Sequence, residues 1–258
     1  MYCIKLSAKA VVKYLLLLML AVTGVAFTLP QQHITVYLIG DSTIAIKEVK
    51  AYPETGWGMP FANYFDTTVT VDNRAKNGRS TSTFIAEGLW KPVVANLKAG
   101  DYVFIQFGHN DEVSTKKSYT TEAEFKKNLL RYVTEAQAKQ AVPVLITPVA
   151  RRKFDSAGHI VSSHTAYSQV VRDVAKETKV PLIDLDAKSQ QLLQQLGAEP
   201  SILLFNHLEP GQNPNYPAGK QDNTHFSELG ARRMAELVLA SIRELKLELA
   251  DRIVKPKS

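Results

Sequence analysis

The stretch Val36-Tyr37-Leu38-Ile39-Gly40-Asp41-Ser42-Thr43 decides the fold. Its apolar half shows little polar alternation, which is typical of a strand covered on both faces, as in a parallel sheet. Gly40 permits a sharp turn, so Ser42 is expected at the carboxyl end of the strand, where open α/β sheets bind ligands. The alternative for Asp41-Ser42-Thr43 is a helix N-cap, because these side chains accept hydrogen bonds from backbone N–H groups.

The rest of the chain alternates between strand and helix patterns, and no internal repeat interrupts this order. Short apolar runs predict strands and longer amphipathic runs predict helices, so we expect one α/β domain over residues 28–258 with about five parallel strands. Pro92 is expected to interrupt the second helix. The further strands are predicted at 68–71, 102–107, 142–149 and 180–185. Helices are predicted near 60, at 84–97, 122–140 and 166–179, from the last strand to about 196, and at 227–249. A long loop is predicted at 206–221.

Residues 1–27 are typical of a secretory signal peptide. Lys5, Lys9 and Lys13 precede a dense apolar run at 14–20, and small residues near Ala26 offer a cleavage site. The alternative is a transmembrane anchor, but the uninterrupted apolar run is short for a span of roughly 20 residues. The sequence therefore predicts a secreted or periplasmic protein.

The composition excludes some classes of protein. With 45% hydrophobic residues in 258, the chain can bury a full core. The formal net charge is +6, and the three lysines of the predicted signal account for half of it, so charge gives no indication of a nucleic-acid partner. Cys3 is the only cysteine, so a chain cut after the signal has no disulfide and no cysteine chemistry.

Polar residues follow the strand ends and the long loop. Because the carboxyl ends of parallel strands meet at one edge of a sheet, residues far apart in sequence can come together there. These residues are Ser42, Asn77-Gly78-Arg79, Gly108-His109-Asn110-Asp111 and Asp222-Asn223-Thr224-His225.

This set contains what acyl transfer requires. Ser42 is a poor nucleophile until a base takes its proton, and His225 can be that base. Asp222 lies three residues before His225, close enough for a local turn to bring the carboxylate to the imidazole and fix its tautomer. The backbone N–H groups of Ser42 and Gly78 and the side-chain amide of Asn110 are suitable donors to an oxyanion.

Each of these residues also has an ordinary structural explanation. Gly78 can be a loop glycine with positive φ, and Gly108-His109-Asn110-Asp111 can be a turn after a strand. Asp222 can cap a helix, and His225 can be a surface or packed histidine. The four signals in successive expected places are harder to explain by coincidence.

The four blocks together resemble those of the GDSL/SGNH hydrolases, and the rhamnogalacturonan acetylesterase branch is the most similar. The resemblance extends from about Thr35 to about Leu239. The superfamily blocks are Gly40-Asp41-Ser42, Asn77-Gly78-Arg79-Ser80, Gly108-His109-Asn110-Asp111 and Asp222-Asn223-Thr224-His225-Phe226-Ser227, and the branch features include Gly56-Trp57-Gly58, the segment 147–154 and His225-Phe226-Ser227-Glu228-Leu229-Gly230.

This resemblance implies a three-layer α/β/α sandwich of flavodoxin-like type. It also implies that Ser42 is the nucleophile, His225 the general base and Asp222 its orienting acid, with Gly78 and Asn110 completing the oxyanion hole. Members of the family need no metal and no cofactor, and the sequence offers no convincing metal site.

The pectic substrate of the branch is anionic through galacturonate. Arg79, Arg151 and Arg152 are expected on loops near strand ends, where they can receive a carboxylate. Each of these arginines can instead be a solvated surface charge. For Lys153, which follows Arg152, we prefer that interpretation. Trp57 can stack on a sugar ring or pack under the catalytic loop.

The sequence thus predicts a monomeric serine esterase that removes acetyl groups from rhamnogalacturonan through an acyl-enzyme, with no stable membrane association after signal cleavage. Esterases on another acetylated glycan, such as xylan, or on lysophospholipids remain open, although the polar and basic loops disfavour the lipid substrate. A glycan-binding protein is the alternative outside enzymes, and the intact Ser42, Asp222 and His225 argue against it. His109 and His164 are expected to line the site at most.

Overall fold

Five parallel strands form the central sheet of the described part of the chain, which in this computed structural model is residues 32–254. The predicted signal peptide and Cys3 lie outside the described residues. The strands are β1 (Ile34–Gly40), β2 (Val69–Asn73), β3 (Tyr102–Gln106), β4 (Val142–Ile146) and β5 (Leu182–Ile183). Every predicted strand is present, but β5 has only two residues, because Pro181 before it lacks an N–H group and Asp184 after it caps a helix.

The sheet has the order β2-β1-β3-β4-β5. The chain adds β2 on one side of β1 and β3, β4 and β5 on the other, so the strand order reverses between β1 and β3. Gly40 at the end of β1 pairs with Gln106 at the end of β3. Crevices at such reversal points, outside the carboxyl ends of the strands, are where open α/β sheets bind ligands. Ser42 lies two residues beyond this point.

Helices cover both faces of the sheet. They are α1 (Gly58–Phe61), α2 (Thr81–Ala86), α3 (Trp90–Asn96), α4 (Glu122–Ala138), α5 (Thr165–Thr178), α6 (Leu185–Leu196) and α7 (Glu228–Glu244). The helix predicted at 84–97 is two helices, α2 and α3. The break lies at Gly88, which has a φ of +72°, whereas Pro92 is accommodated in the first turn of α3.

Alternate residues of each central strand enter two separate cores. Leu38 and Phe104 point to the face that packs on α1, α6 and α7, and Ile39 and Ile105 point to the face that packs on α2 to α5. All four side chains are buried. This arrangement confirms the predicted three-layer α/β/α sandwich, and it explains why the strands lack polar alternation.

A two-stranded antiparallel sheet lies outside the parallel sheet, and the sequence did not predict it. Its strands are β6 (Phe205–Leu208) and β7 (Lys220–Phe226). The expectation of a single loop from 206 to 221 is wrong at both ends. The reason is that β6 has only four residues and β7 is polar up to its last residue, so neither carries the apolar run or the strict alternation that identifies a strand. Between residues 32 and 254, no helix is long and apolar enough to cross a membrane.

Candidate active site

The turn after β1 is stabilised by Asp41 and leaves Ser42 available. The carboxylate Oδ1 of Asp41 accepts hydrogen bonds from the backbone N–H of Thr43 at 2.9 Å and from its hydroxyl at 2.8 Å. The Asp41 carbonyl accepts from the N–H of Ala45 at 3.1 Å. Residues 41–45 form a turn rather than the start of a helix, so the N-cap alternative does not apply.

Gln106 at the end of β3 supports this turn from below. Its side-chain amide donates to the Thr43 hydroxyl at 2.7 Å, and its side-chain carbonyl accepts from the indole N–H of Trp57 at 2.9 Å. Gln106 is fully buried. No role for Gln106 was predicted from the sequence, although a glutamine at the end of an apolar strand is a signal that could have revealed a buried polar contact.

A wide bulge in β7 brings Asp222 and His225 to the site. Gln221 pairs with His207 and Phe226 pairs with Phe205, so the four residues 222–225 of β7 lie opposite Asn206 alone. In a regular strand, residues three apart point to opposite faces. The bulge removes this constraint, as bulges beside active sites do.

Within the bulge, Asp222 makes the local turn that the sequence predicts. Its Oδ1 accepts from the backbone N–H groups of Thr224 at 2.8 Å and of His225 at 2.9 Å. Its Oδ2 lies 2.8 Å from Nδ1 of His225. His225 in turn places Nε2 at 2.9 Å from the hydroxyl of Ser42. The three side chains therefore form one hydrogen-bonded line from carboxylate to hydroxyl.

The electrostatics of this line favour an ionised Asp222. Burial alone would raise the pKa of its carboxyl, but hydrogen bonds from the ring and backbone N–H of His225 and from the N–H of Thr224 outweigh burial and hold the pKa below its ordinary value. A carboxylate accepting from Nδ1–H leaves Nε2 as the acceptor of the imidazole. This is the tautomer that can remove a proton from Ser42.

The expected oxyanion donors lie on two neighbouring loops. Gly78 follows β2, has a φ of +76° and lies at the surface. Asn110 follows β3, is 7% exposed, and donates from its amide to the carbonyl of Arg79 at 3.1 Å. The backbone N–H of Lys76 donates to the carbonyl of Gly40 at 3.0 Å. These bonds join the loop of Gly78 to the ends of β1 and β3.

Trp57 is a core residue, which excludes the substrate-stacking role. Its side chain is fully buried, packs edge-on against Phe61 with ring centroids 5.4 Å apart, and donates its indole N–H to Gln106. No part of the ring can reach a sugar. The other sequence alternative, packing beneath the catalytic loop, describes its position, and its inclusion among the substrate-binding residues is wrong.

Arg152 also serves the protein itself. Its guanidinium donates to the carbonyl of Ala198, to the hydroxyl of Ser201 at 3.1 Å and to Oδ1 of Asn223 at 3.0 Å. Its backbone N–H donates to the carbonyl of Asn223 at 2.9 Å. Arg152 therefore fixes the bulge of β7, and its guanidinium donors are used by acceptors of the protein.

Arg151 and Arg79 lie beside the site with their charges partly compensated. Arg151 donates to the hydroxyl of Thr224 at 2.7 Å and lies 3.3 Å from a carboxylate oxygen of Glu112. Arg79 pairs with Glu87 at 2.8 Å. Lys153 is exposed, as expected. Of the predicted substrate-binding residues, Arg79 and Arg151 keep a position from which they can reach a ligand.

A basic cleft adjoins the loop of Gly78. It has a volume of about 390 Å³ and lies between segments 45–51 and 75–79. Lys50, Lys76 and Arg79 line it, with Glu48 as its acidic residue. Lys50 pairs with Glu48 at 2.7 Å. The cleft therefore carries a net positive charge next to the nucleophile turn.

His109 and His164 are both buried. Their rings meet edge-on with centroids 4.3 Å apart, and Nδ1 of His164 lies 2.8 Å from Glu112. Burial, followed by the charges of His164 and Arg151, lowers the pKa of His109 well below its ordinary value. Neither histidine reaches the surface, so they support the site from within. Over residues 32–254, no group of three acidic, histidine or cysteine side chains is arranged to hold a metal.

Comparison with known proteins identifies relatives over most of the chain. Residues 38–233 match the model of the GDSL-like lipase/acylhydrolase family. The rhamnogalacturonan acetylesterase RhgT of Bacillus subtilis strain 168 is 42% identical over 87% of this chain and 96% of its own length. The probable rhamnogalacturonan acetylesterase YesY of the same organism is 35% identical over 86% of this chain and 98% of its own length.

Solved structures share the fold. The crystal structure of Bacillus subtilis protein YxiM superposes with a TM-score of 0.73 and 28% identity, and the match covers 85% of this chain and 58% of that chain. The acetylxylan esterase Axe2 of Geobacillus stearothermophilus has a TM-score of 0.61 and 20% identity, over 82% of this chain and 94% of that chain.

Proposed function

The chain belongs to the GDSL-like lipase/acylhydrolase family and is a carboxylic ester hydrolase, and from this premise we propose that it removes acetyl groups from rhamnogalacturonan through a serine acyl-enzyme. The observation that carries the proposal is the hydrogen-bonded line from Asp222 through His225 to Ser42, with distances of 2.8 and 2.9 Å. A nucleophile hydrogen-bonded to a base that is oriented by a third group is the arrangement that serine hydrolysis requires.

In the first half of the reaction, Oγ of Ser42 attacks the carbonyl carbon of the acetyl ester while its proton passes to Nε2 of His225. The tetrahedral intermediate carries its negative charge on the former carbonyl oxygen, where the N–H groups of Ser42 and Gly78 and the amide of Asn110 donate to it. The bond to the sugar oxygen then breaks, and His225 gives its proton to that oxygen. The deacetylated sugar leaves, and the acetyl group stays on Ser42.

In the second half, water replaces the sugar. His225 takes a proton from the water as its oxygen attacks the acetyl carbon, and the same donors stabilise the second intermediate. The bond to Oγ breaks and the proton returns to Ser42, so the enzyme is restored and acetate is released. Ionised Asp222 stabilises the imidazolium that forms in both halves.

Two observations support a pectic substrate. One relative, 42% identical over nearly its full length, is named as a rhamnogalacturonan acetylesterase, and another, 35% identical, is named as a probable one. The cleft lined by Lys50, Lys76 and Arg79 is basic, and galacturonate residues of a pectic backbone are anionic. Charge complementarity of this kind favours the encounter with a polyanion and its orientation.

We further propose that the chain is exported from the cytoplasm, on the basis of the composition of residues 1–27. The test is to express the full chain in a bacterial host and to sequence the amino terminus of the protein recovered outside the cytoplasm. A sequence that begins close to Phe27 supports the proposal. Protein retained in the cytoplasm with Met1 intact contradicts it.

The deciding experiment measures acetate released from acetylated rhamnogalacturonan, from acetylated xylan and from a small aryl acetate. Wild type is compared with Ser42→Ala and with Ser156→Ala, which removes an exposed serine outside the triad. We expect release from the pectic polymer that is lost only in Ser42→Ala. Release from xylan or aryl acetate alone would keep the mechanism and reject the substrate, and no release by folded wild type would reject both.

A further inference from the structure

Lys47 is a buried cation beneath the nucleophile, and the mechanism above does not use it. Its side chain has no exposed surface. Its ammonium donates to the backbone carbonyl of Ser42 at 2.5 Å and to Oδ1 of Asn77 at 3.1 Å, and it pairs with Glu54 at 2.7 Å. Burying a lysine is costly unless its charge is compensated, and here two of its three partners belong to catalytic segments.

The bond to Ser42 completes the fixation of the nucleophile. The peptide group between Ser42 and Thr43 is held at both ends, since Lys47 donates to its carbonyl oxygen and its N–H donates to the Asp41 carboxylate at 2.9 Å. A peptide group held at both ends fixes the direction of the adjoining Cα–Cβ bond. The position of Oγ relative to His225 therefore depends on Lys47.

The bond to Asn77 extends the same control to the oxyanion donors. Asn77 immediately precedes Gly78 in a loop that lies at the surface, and its side chain accepts from Lys47. One ammonium group thus joins the nucleophile turn to the loop that carries an expected oxyanion donor. The spacing between attacking atom and donor is the quantity that oxyanion stabilisation requires.

Glu54, the counter-ion of Lys47, lies next to a residue that contacts the segment of His225. Glu54 is followed by Thr55, whose backbone N–H donates to the carbonyl of Phe226 at 3.0 Å, and Phe226 directly follows His225. The ion pair of Lys47 and Glu54 therefore lies between the segments of the nucleophile, the oxyanion loop and the base. Buried ion pairs contribute little net stability compared with apolar side chains, so stability alone does not account for its position.

We propose that Lys47 is a positioning residue for ester hydrolysis. Its ammonium holds the Ser42 turn and the Gly78 loop at a fixed separation, and its buried positive charge stabilises the negative charge that develops on the tetrahedral intermediate. This inference rests on the proposed serine esterase function. It assigns to Lys47 an effect on the transition state that exceeds its effect on substrate binding.

The test separates this role from a structural one by removing the ion pair in two ways. Lys47→Met leaves the carboxylate of Glu54 without its partner, so a lower Tm is expected, as when one member of a buried pair is removed. Lys47→Met/Glu54→Met removes both charges and is expected to recover most of that Tm. With p-nitrophenyl acetate, both variants are expected to lose about 10- to 100-fold in kcat, somewhat less than the loss of a direct oxyanion donor, while KM changes by less than about threefold.

A second readout reports the intermediate directly. A phenylboronic acid accepts an electron pair from Oγ of Ser42, the proton of which passes to His225, and the new B–O bond gives a negatively charged tetrahedral boron. Its inhibition constant is expected to rise in the double variant by about the factor by which kcat/KM falls. Lys47→Gln, which keeps a neutral donor, is measured beside it as a second variant that removes the charge.

Arg252 provides a control at a second buried cation, although its partner Glu248 is exposed. It is a buried cation that pairs with Glu248 at 2.7 Å and donates to Thr68 at 2.8 Å, next to the start of β2 and so at the opposite edge of the sheet from Ser42. Arg252→Met/Glu248→Met is expected to keep the kcat of wild type. A kcat within about twofold of wild type for Lys47→Met/Glu54→Met would overturn the inference and leave the esterase function intact. Wild type that hydrolyses no acetate ester would overturn both.

Discussion

The nucleophile side and the base side of the site are built on different sheets, and the pKa values of their carboxyl groups are shifted in opposite directions. The nucleophile side stands on the parallel sheet, where burial raises the pKa of Asp41 and raises the pKa of Asp111 to about 7. The base side stands on the β6–β7 hairpin. There burial is outweighed by donors, and the pKa of Asp222 is lowered.

The difference follows from what each carboxyl group does. Asp111 accepts from the backbone N–H and the hydroxyl of Thr81 at 2.9 and 2.6 Å, so it shapes the turn after β3 and requires no charge for this. In the proposed mechanism, Asp222 must remain ionised to stabilise an imidazolium. Burial therefore raises the pKa of the carboxyl groups at the sheet edge, whereas hydrogen-bond donors lower the pKa of Asp222 on the β6–β7 side.

The largest expected effect tests whether the two sides act as one unit. Ser42→Ala removes the nucleophile from the sheet side, and His225→Ala removes the base from the hairpin side. Each is expected to lower kcat by about 10⁴-fold or more, and the double variant is expected to be no worse than either, because a triad whose line is broken has lost its function. The measurement is kcat with an aryl acetate.

Independent contributions of Ser42 and His225 would give a different kcat in the double variant. If the losses of the two single variants multiply in the double variant, Ser42 and His225 act separately and the hydrogen-bonded line has no catalytic meaning. Because Ser42 is small and sits in a turn held by Asp41, Ser42→Ala is expected to keep the Tm of wild type. This makes the kinetic comparison free of folding effects.

A smaller effect is expected from the sheet side alone. Asn110→Ala removes an expected oxyanion donor but leaves the line from Asp222 to Ser42 intact, so kcat is expected to fall by about 10²–10³-fold with little change in KM. Asn96→Ala is the control, since Asn96 also donates from its amide to a backbone carbonyl, that of Pro92 at 2.7 Å, but on α3. Equal kcat values for the two variants would remove Asn110 from the oxyanion hole.

The same contrast explains what the sequence could predict of the fold. The parallel strands are buried on both faces, so their sequences are apolar runs that stand out from the helices between them. The hairpin strands are polar and one of them bulges, so no periodicity marks them. The sequence nevertheless singled out Ser42, His225 and Asp222, which the structure brings into hydrogen-bond contact, because the proposed chemistry needs a serine, a histidine and a carboxylate whatever the backbone does.

Supporting residues were the least predictable part of the site. Nothing in the spacing of Lys47 distinguishes a buried lysine from a surface one, because its partners Ser42, Asn77 and Glu54 meet only in three dimensions. For the same reason Arg152 was expected at a substrate and instead fixes the bulge of β7. The role of a long polar side chain depends on tertiary contacts, which local sequence patterns do not specify.

The opposite carboxyl pKa values predict opposite effects of pH on stability. Between about pH 4 and pH 7, Asp111 ionises in the unfolded chain but stays protonated when folded, so it lowers the free energy of unfolding as pH rises through this range. Asp111→Asn removes this loss. The difference in Tm between variant and wild type is expected to be about 10 °C more favourable at pH 8 than at pH 4.

Asp222→Asn is the matching variant from the hairpin side. The folded pKa of Asp222 lies below its ordinary value of 3.8, so its contribution is present above that pH and is lost as pH falls. Wild type is therefore expected to lose stability as the pH falls below 3.8, and Asp222→Asn, which has no carboxylate to protonate, is expected to lose less over the same range. If Asp111→Asn and Asp222→Asn change the pH profile of Tm in the same direction, the contrast between the two sides is wrong.

The smallest expected effect on catalysis concerns Trp57, which supports the nucleophile side from below. Trp57→Phe keeps an aromatic ring in the core but leaves the side-chain carbonyl of Gln106 without its donor, at a cost of about 1–3 kcal/mol in the free energy of unfolding. Because the ring has no exposed surface, KM for acetylated rhamnogalacturonan is expected to stay as in wild type. Any change in kcat must pass through Gln106 to Thr43, and we expect it to be less than about tenfold.

Trp90→Phe sharpens this comparison, because Trp90 is also buried and also loses one bond, from its indole N–H to Glu135 at 2.7 Å, but on the opposite face of the sheet. Both variants are expected to lower Tm, and only Trp57→Phe is expected to change kcat. A Trp57→Phe variant that raised KM for the polysaccharide and kept Tm would mean that the ring reaches the sugar. The sheet side would then take part in substrate binding as well as in holding the nucleophile.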